Sequence, residues 1–339
     1  MKIYYKATQG DPTNGCYFTS NYHFKHTLSD LGYLTNTPNR ADIIYITENC
    51  GGLQVFKDNP NKIKVLQLVC SHPDLYCKLL TEECEKWDMW DERPFMWAKT
   101  RKEEIELADY IIVYSEFSKQ ACLDAGVTEQ KLKVIPKGVE IDIFKPQEIP
   151  RETRFTVLLP GQQFIIKGTQ YAMKAYTELK REGFDFKFIM CGDKTNVINK
   201  QGNREFQMGR LIPETIENRG RVDRDTLIRL YNQCDVVLAP SIEDSMNMTV
   251  LEGLACDKPV ICTKNTGASE LIVHHKHGSI INIRNVKAIK REIRYWSNNK
   301  PKEGTCRNMI RCRSITKYMN DLIKYLESLG DKYDKSRTN

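Results

Sequence analysis

At 339 residues, with 40% hydrophobic and 28% charged side chains, the chain has a globular composition and room for about two domains, each with its own core. That balance excludes a wholly disordered chain, and the longest apolar runs, such as Val65 to Cys70 and Tyr110 to Tyr114, are strand-sized, well short of the ~18 to 20 residues of a membrane span. The net charge of +7 favours an anionic partner: a nucleotide, a nucleic acid or a lipid headgroup.

In chain order, the first strand is expected over Lys2 to Lys6, with none of the apolar core of a secretory signal, so a cytoplasmic protein (host-cell cytoplasm for a viral one) is expected. A polar loop from Thr8 to Gly15 precedes a helix running to about Asp30. Strands follow at Ala41 to Thr47, Lys62 to Cys70 and Asp109 to Tyr114, then a helix capped at Ser115 and ending near Gly126, then a strand at Lys131 to Pro136. Lys145 to Glu152 holds two prolines and few apolar residues, as a linker would. The alternation then restarts. Strands are expected at Arg154 to Leu159, Phe184 to Cys191, Asp235 to Ala239, Pro259 to Thr263 and Ser279 to Asn282. Helices are expected at Thr169 to Arg181, Arg224 to Asn232, Met248 to Cys256, Val286 to Asn298 and, as one piece, Thr305 to Leu329.

Alternating strands and helices imply an α/β fold of two doubly wound, Rossmann-like domains with parallel sheets, whose carboxyl edges face a central cleft. The divisions are 1–147, 148–305, a terminal helix over 306–329 packing toward the first domain, and a frayed tail over 330–339. The twelve cysteines are diluted over the chain, and Cys70, Cys122, Cys191, Cys234, Cys256 and Cys262 sit in apolar segments, so reduced buried thiols are expected.

Two segments carry candidate chemistry. Gly161 to Gly168 follows a strand and opens a helix: Gly161 permits a tight turn, Gly168 a close approach, and Lys167 is aimed over the sheet edge, where it can meet a phosphate. Pro240 to Glu252 lies between a strand and a helix. Here the amides of Ser245, Met246 and Asn247 would point out of the helix N-terminus as a cradle for a diphosphate. Asp244 precedes that helix, and Glu252 lies inside it among Val250, Leu251, Leu254 and Ala255, where a buried carboxylate needs a partner.

The run from Pro240 to Ile261 resembles the signature of family-4 retaining glycosyltransferases of the GT-B fold, roughly P-S-x-x-E-x7-E-A-x-A-x-G-x-P-V-I. The resemblance continues through Gly267-Ala268-Ser269-Glu270 to Gly278, and includes Ala108 to Ser118 and Lys133 to Glu140, with Phe144 and Pro146 after them. Three positions depart from the pattern: Asp244 stands for the first Glu, Gln162 for the basic residue after the glycine, and the N-terminal G-G loop is echoed only by Gly10, Asn14 and Gly15.

The resemblance implies that Lys167 neutralises a donor diphosphate together with the loop of Gly161, Gln162 and Gly168. It implies that Glu252 holds the ribose, that Asp244 touches the donor sugar, and that Ser245, Met246 and Asn247 line the donor. Arg221 and Val222 would pack by the base, His72 would face the sugar from the first domain, and Gly10, Asn14 and Gly15 would lie on the acceptor side. The implied activity is sugar transfer from a nucleotide-diphosphate sugar with retention, without cofactor or metal; the acceptor could be a glycan, a lipid, a protein or modified DNA. His274, His275 and His277 at a helix-to-strand turn lack a paired acidic ligand in sequence, and Asp223 of Asp223-Arg224-Asp225 reads as a helix N-cap. Against a sugar-nucleotide epimerase stands the block from Asp244 to Glu252; against a basic nucleic-acid-binding protein stands the want of a groove-reading helix or metal finger.

Overall fold

The computed structural model describes residues 1–7, 16–48, 50–87, 93–150, 153–193, 196–197, 206–207 and 212–338. It divides into two compact units: Met1–Cys77 with Glu92–Gly138 and Ile315–Asn339, and Lys78–Asp91 with Val139–Ser314.

In the first unit, β1 (Ile3–Lys6), α1 (Cys16–Asp30), β2 (Leu34–Thr35), β3 (Ile43–Thr47), α2 (Leu53–Asp58), β4 (Ile63–Gln67), α3 (Pro73–Lys86), α4 (Arg93–Leu107), β5 (Tyr110–Val113), α5 (Glu116–Asp124) and β6 (Leu132–Val134) follow in order. α3 begins here and crosses the boundary at Cys77. The strands lie parallel in the order β2-β1-β3-β4-β5-β6. All five residues of β3 are buried, which is why it reads as an unbroken apolar run: a parallel strand is covered on both faces. Ile44, Ile46, Leu66, Leu68, Ile111 and Val113 form a core with Phe56 and Ile105. The Ser115 hydroxyl accepts the amide of Ser118 at 3.1 Å and starts α5.

The second unit contains β7 (Thr156–Pro160), α6 (Thr169–Arg181), β8 (Lys187–Cys191), β9 (Asn196–Val197), β10 (Phe206–Gln207), β11 (Glu217–Asn218), α7 (Arg224–Gln233), β12 (Val236–Ala239), α8 (Met248–Ala255), β13 (Val260–Thr263), β14 (Gly278–Ile281), α9 (Val286–Asn298) and α10 (Thr305–Ile310). β9 and β10 form a small antiparallel ribbon, and the main sheet runs β11-β8-β7-β12-β13-β14, all parallel. The winding reverses between β7 and β12. Outside the carboxyl ends of those two strands lies the crevice where open α/β sheets bind ligands.

Three sequence expectations change. The single helix expected from Thr305 is two, α10 and α11 (Ile315–Thr338), because the backbone between them is used elsewhere: the Arg313 carbonyl accepts the Val139 amide at 2.8 Å, and Ser314 bridges Val139. α11 continues through the stretch expected to fray. The units divide between Gly138 and Val139 rather than at 147/148. The segment after Val139 is tied into the second unit by Arg307, which donates to the carbonyls of Ile141 (2.8 Å) and Phe144 (2.9 Å). α11 itself belongs with the first unit, where the Tyr318 hydroxyl accepts from the Gln67 amide at 2.6 Å and Glu327 accepts from Tyr33 at 2.8 Å. Among the described residues no cysteine is in a disulfide; Cys122, Cys191, Cys234, Cys256 and Cys262 are buried and Cys70 is half-buried.

Candidate active site

The site is built on the loops that leave β7 and β12. After β7, Gly161 turns with φ 102°, a left-handed value that favours glycine. Gln163 is buried and laces the loop shut: its amide donates to the Asp193 carbonyl (2.8 Å), its side chain to the Gly161 carbonyl (2.8 Å), and it accepts from Thr169 (3.1 Å). A short 3-10 turn, Ile165–Lys167, buries its two isoleucines and ends at Gly168. A Cβ on Gly168 would lie 2.0 Å from the Pro240 carbonyl oxygen, so the loops of β7 and β12 meet backbone to backbone and only glycine fits. The Ile242 amide also donates to the Ile166 carbonyl at 2.8 Å.

That approach brings the Lys167 ammonium to 2.6 Å from Asp244 Oδ2, a direct ion pair that sequence spacing did not reveal. The pair is open to ligand, with 38% of the Lys167 side chain and 14% of that of Asp244 exposed. Asp244 is held from three sides. Its Oδ1 accepts the Asn247 amide (2.8 Å), its own amide donates to Asn265 (3.1 Å), and its carbonyl accepts the Gly267 amide (3.0 Å). The Asn247 amide expected in a diphosphate cradle is therefore spent on Asp244. Asn247 itself adopts φ 63° and donates its side-chain amide to Ser241 at 3.2 Å. Ser245 and Met246 are buried in the same turn. Gln162 is exposed on the neighbouring loop.

Glu252 lies in the second turn of α8 and is 8% exposed. The partner its burial demanded is Tyr231 on α7, whose hydroxyl donates to Glu252 Oε2 at 2.7 Å. Burial, then the adjacent carboxylate, pushes the Tyr231 phenol well above its ordinary value, so it stays protonated and remains a donor. Arg221 is exposed and faces Asp193 at 3.7 Å; Val222 beside it is half-buried. The Gly192 amide donates to the Gly220 carbonyl at 2.7 Å, joining the loops of β8 and β11. Asp223 accepts the Thr226 amide at 2.7 Å, as an N-cap does.

In the first unit, His72 is 4% exposed, at the end of the loop leaving β4. Its Nδ1 accepts the Asp74 amide at 3.2 Å, which leaves the proton on Nε2. Burial lowers its pKa against the pull of Asp74, so the ring is neutral at pH 7. Sequence reasoning missed what fixes this loop. Glu48, just after β3, accepts the amides of Val69 (2.8 Å) and Cys70 (2.6 Å), and pairs with Arg101 of α4 (2.8 Å), which also donates to the Ser71 carbonyl (3.1 Å). A carboxylate directly behind a five-residue apolar strand was the available signal. Gly10, Asn14 and Gly15 lie outside the described residues.

The histidine cluster does have an acidic neighbour, contrary to the sequence reading. Ligand atoms of His274, His275 and Glu292 lie within 4.8 Å of one another. Its chemistry does not suit a cation. The His274 Nδ1 lone pair accepts the Ile280 amide at 3.1 Å, which puts the proton on the other nitrogen, and Arg291 already pairs with Glu292 at 2.6 Å. His277 accepts the Val273 amide at 3.3 Å.

Residues 140–312 match the family model for glycosyl transferases group 1, which is just over half of the 339 residues. The chain belongs to that family. Among curated relatives, the D-inositol 3-phosphate glycosyltransferase of Pseudarthrobacter chlorophenolicus is 26% identical over 171 residues, covering 46% of this chain and 39% of that one. The chain thus spans about two fifths to half of the first curated relatives it matches. Sucrose-phosphate synthase from Thermosynechococcus elongatus superposes with a TM-score of 0.76 at 15% identity over 97% of this chain and 99% of the other. Anabaena HepE in complex with UDP-glucose gives 0.67 at 17% identity over 97% and 100%. At such identities these likenesses concern fold, and the fold is GT-B. The matched region holds Lys167, Asp244, Tyr231 and Glu252, but not His72. Among the described residues no helix is long and apolar enough to cross a membrane.

Proposed function

We propose that this member of the family transfers a sugar from a nucleoside-diphosphate sugar with retention of configuration and without a divalent metal. One observation carries the reading: at the switch point of the second sheet, a partly exposed ammonium, Lys167, lies 2.6 Å from Asp244, while a second, buried carboxylate, Glu252, sits on the following helix. A cation suits a diphosphate, and a buried carboxylate suits ribose hydroxyls. A structural neighbour whose crystal contains UDP-glucose supports a nucleotide sugar as donor.

In this mechanism the bond from the anomeric carbon to the diphosphate oxygen breaks, and charge builds on the leaving group. Lys167 stabilises that charge more in the transition state than before it. Asp244 steadies the electron-poor sugar. The acceptor oxygen bonds to the same face, and its proton passes to the departing phosphate.

A panel of UDP-, GDP- and ADP-sugars screened by thermal shift, followed by product analysis with chelator present, tests the reading. A ligand at ~100 times its Kd stabilises by about 2.7 kcal/mol. One donor should raise the melting temperature and yield product of unchanged anomeric configuration at an undiminished rate. Inverted product, or turnover abolished by chelator and restored by manganese, overturns it.

A further inference from the structure

We infer that Tyr231 is a positioning residue for the nucleotide site, orienting the Glu252 carboxylate toward the ribose. The inference rests on the donor reading above and adds a residue to it. Tyr231 is fully buried and donates to Glu252 Oε2 at 2.7 Å. A carboxylate offers about four acceptor positions; fixing one by a charge-assisted bond sets the plane in which the others lie. Three features keep the phenol where it is. Its ring meets Phe144 edge-on, with centroids 5.9 Å apart at 84°. Two turns earlier on α7, Arg224 lies over the Phe144 ring at 5.7 Å and pairs with Glu140. The next residue, Asn232, donates to the carbonyls of Lys145 (3.1 Å) and Ile228 (3.0 Å) and accepts the Gln147 amide (2.9 Å). The segment from Glu140 to Gln147 is thereby strapped to α7 and backs the ring that holds Glu252. Tyr231 reaches the proposed ribose site through Glu252, so its effect should appear in ribose recognition.

The test uses the full chain and a readout that mere stability does not move: the ratio of Kd for a nucleoside diphosphate to that for its 2′,3′-dideoxy analogue. UDP, GDP and ADP are tried, and the tightest is used. Wild type should favour the ribose form, and Glu252→Gln should erase most of that preference. Tyr231→Phe should reduce it about threefold to tenfold while affinity for the dideoxy form stays within twofold. The double variant removes both partners, so no buried charge is left without its donor, and should discriminate no less and no more than Glu252→Gln alone. If Tyr231→Phe keeps the wild-type ratio while Glu252→Gln loses it, or if the effects of the two changes simply add, Tyr231 does not act through Glu252. If none of the three nucleotides binds, or wild type shows no ribose preference, the donor reading fails and the inference with it.

Discussion

Lys167 and Asp244 neutralise one another across 2.6 Å, so each is the other's environment. Lys167→Ala removes the cation proposed to meet the phosphate and leaves Asp244 without its ion-pair partner. Nucleotide affinity and kcat/KM should fall together, because the charge acts on bound and reacting states alike; unchanged kcat/KM would place phosphate recognition elsewhere. Asn247 shows a different constraint. At φ 63° it sits where L-residues are strained, at a cost of roughly 1 to 2 kcal/mol that Asn tolerates better than most. Asn247→Ala should lower unfolding free energy by about 1 to 2 kcal/mol, and Asn247→Gly by distinctly less, as read from urea melts. Equal losses would assign the role of Asn247 to its bond with Ser241 rather than to its backbone.

At the scale of elements, α4 carries a buried acid without a hydrogen bond of ordinary geometry. Glu104 is fully buried, and neither carboxylate oxygen makes a hydrogen bond of ordinary geometry, the amides of Gly52 and Leu53 acting on it only weakly. Burial first, then nearby Glu48, pushes its pKa from 4.5 up to about 7; Arg101 and the amides of Gly52 and Leu53 oppose the rise. The folded protein therefore binds this proton more tightly than the unfolded chain does. Stability from Glu104 is complete below about pH 4.5 and is lost as pH rises toward 7, by roughly 3 kcal/mol at 1.36 kcal/mol per unit. Glu104→Gln should flatten that part of the stability-against-pH curve between pH 5 and 7.5. A wild-type curve that rises through this window with the variant tracking it would contradict the assignment. The same helix explains a gap in the sequence reading. α6 and α9 were legible to the residue because their apolar positions recur at helical spacing, whereas α4 turns Arg101 and Glu104 inward and so breaks the period. The break between α10 and α11 was hidden for another reason: it is set by pairing with Val139, far away in sequence.

At the scale of the molecule, two parallel sheets were legible because five strands of each read as apolar stretches between turn residues, whereas the two-residue edge strands β2 and β11 carry no such run. The loops proposed to hold the donor stood out in sequence because Gly168 and the block from Asp244 to Glu252 sit at the sheet's switch point, where the backbone must turn tightly and a helix must begin. What spacing could not supply were contacts closed by tertiary structure: Lys167 with Asp244, Tyr231 with Glu252, and Glu48 with the loop before His72. In the proposed mechanism two acidic residues divide the donor between them, Glu252 taking the nucleoside and Asp244 the sugar. Calorimetric titration of the best-binding nucleoside diphosphate into Glu252→Gln and Asp244→Asn, both shown to be folded, tests it most directly. A charged hydrogen bond is worth roughly 1.5 to 3 kcal/mol, so Glu252→Gln should weaken nucleotide binding by about tenfold to a hundredfold. Asp244→Asn should bind the nucleotide nearly as wild type does while losing most turnover. Equal loss of nucleotide affinity in the two variants, or none in Glu252→Gln, would contradict the account.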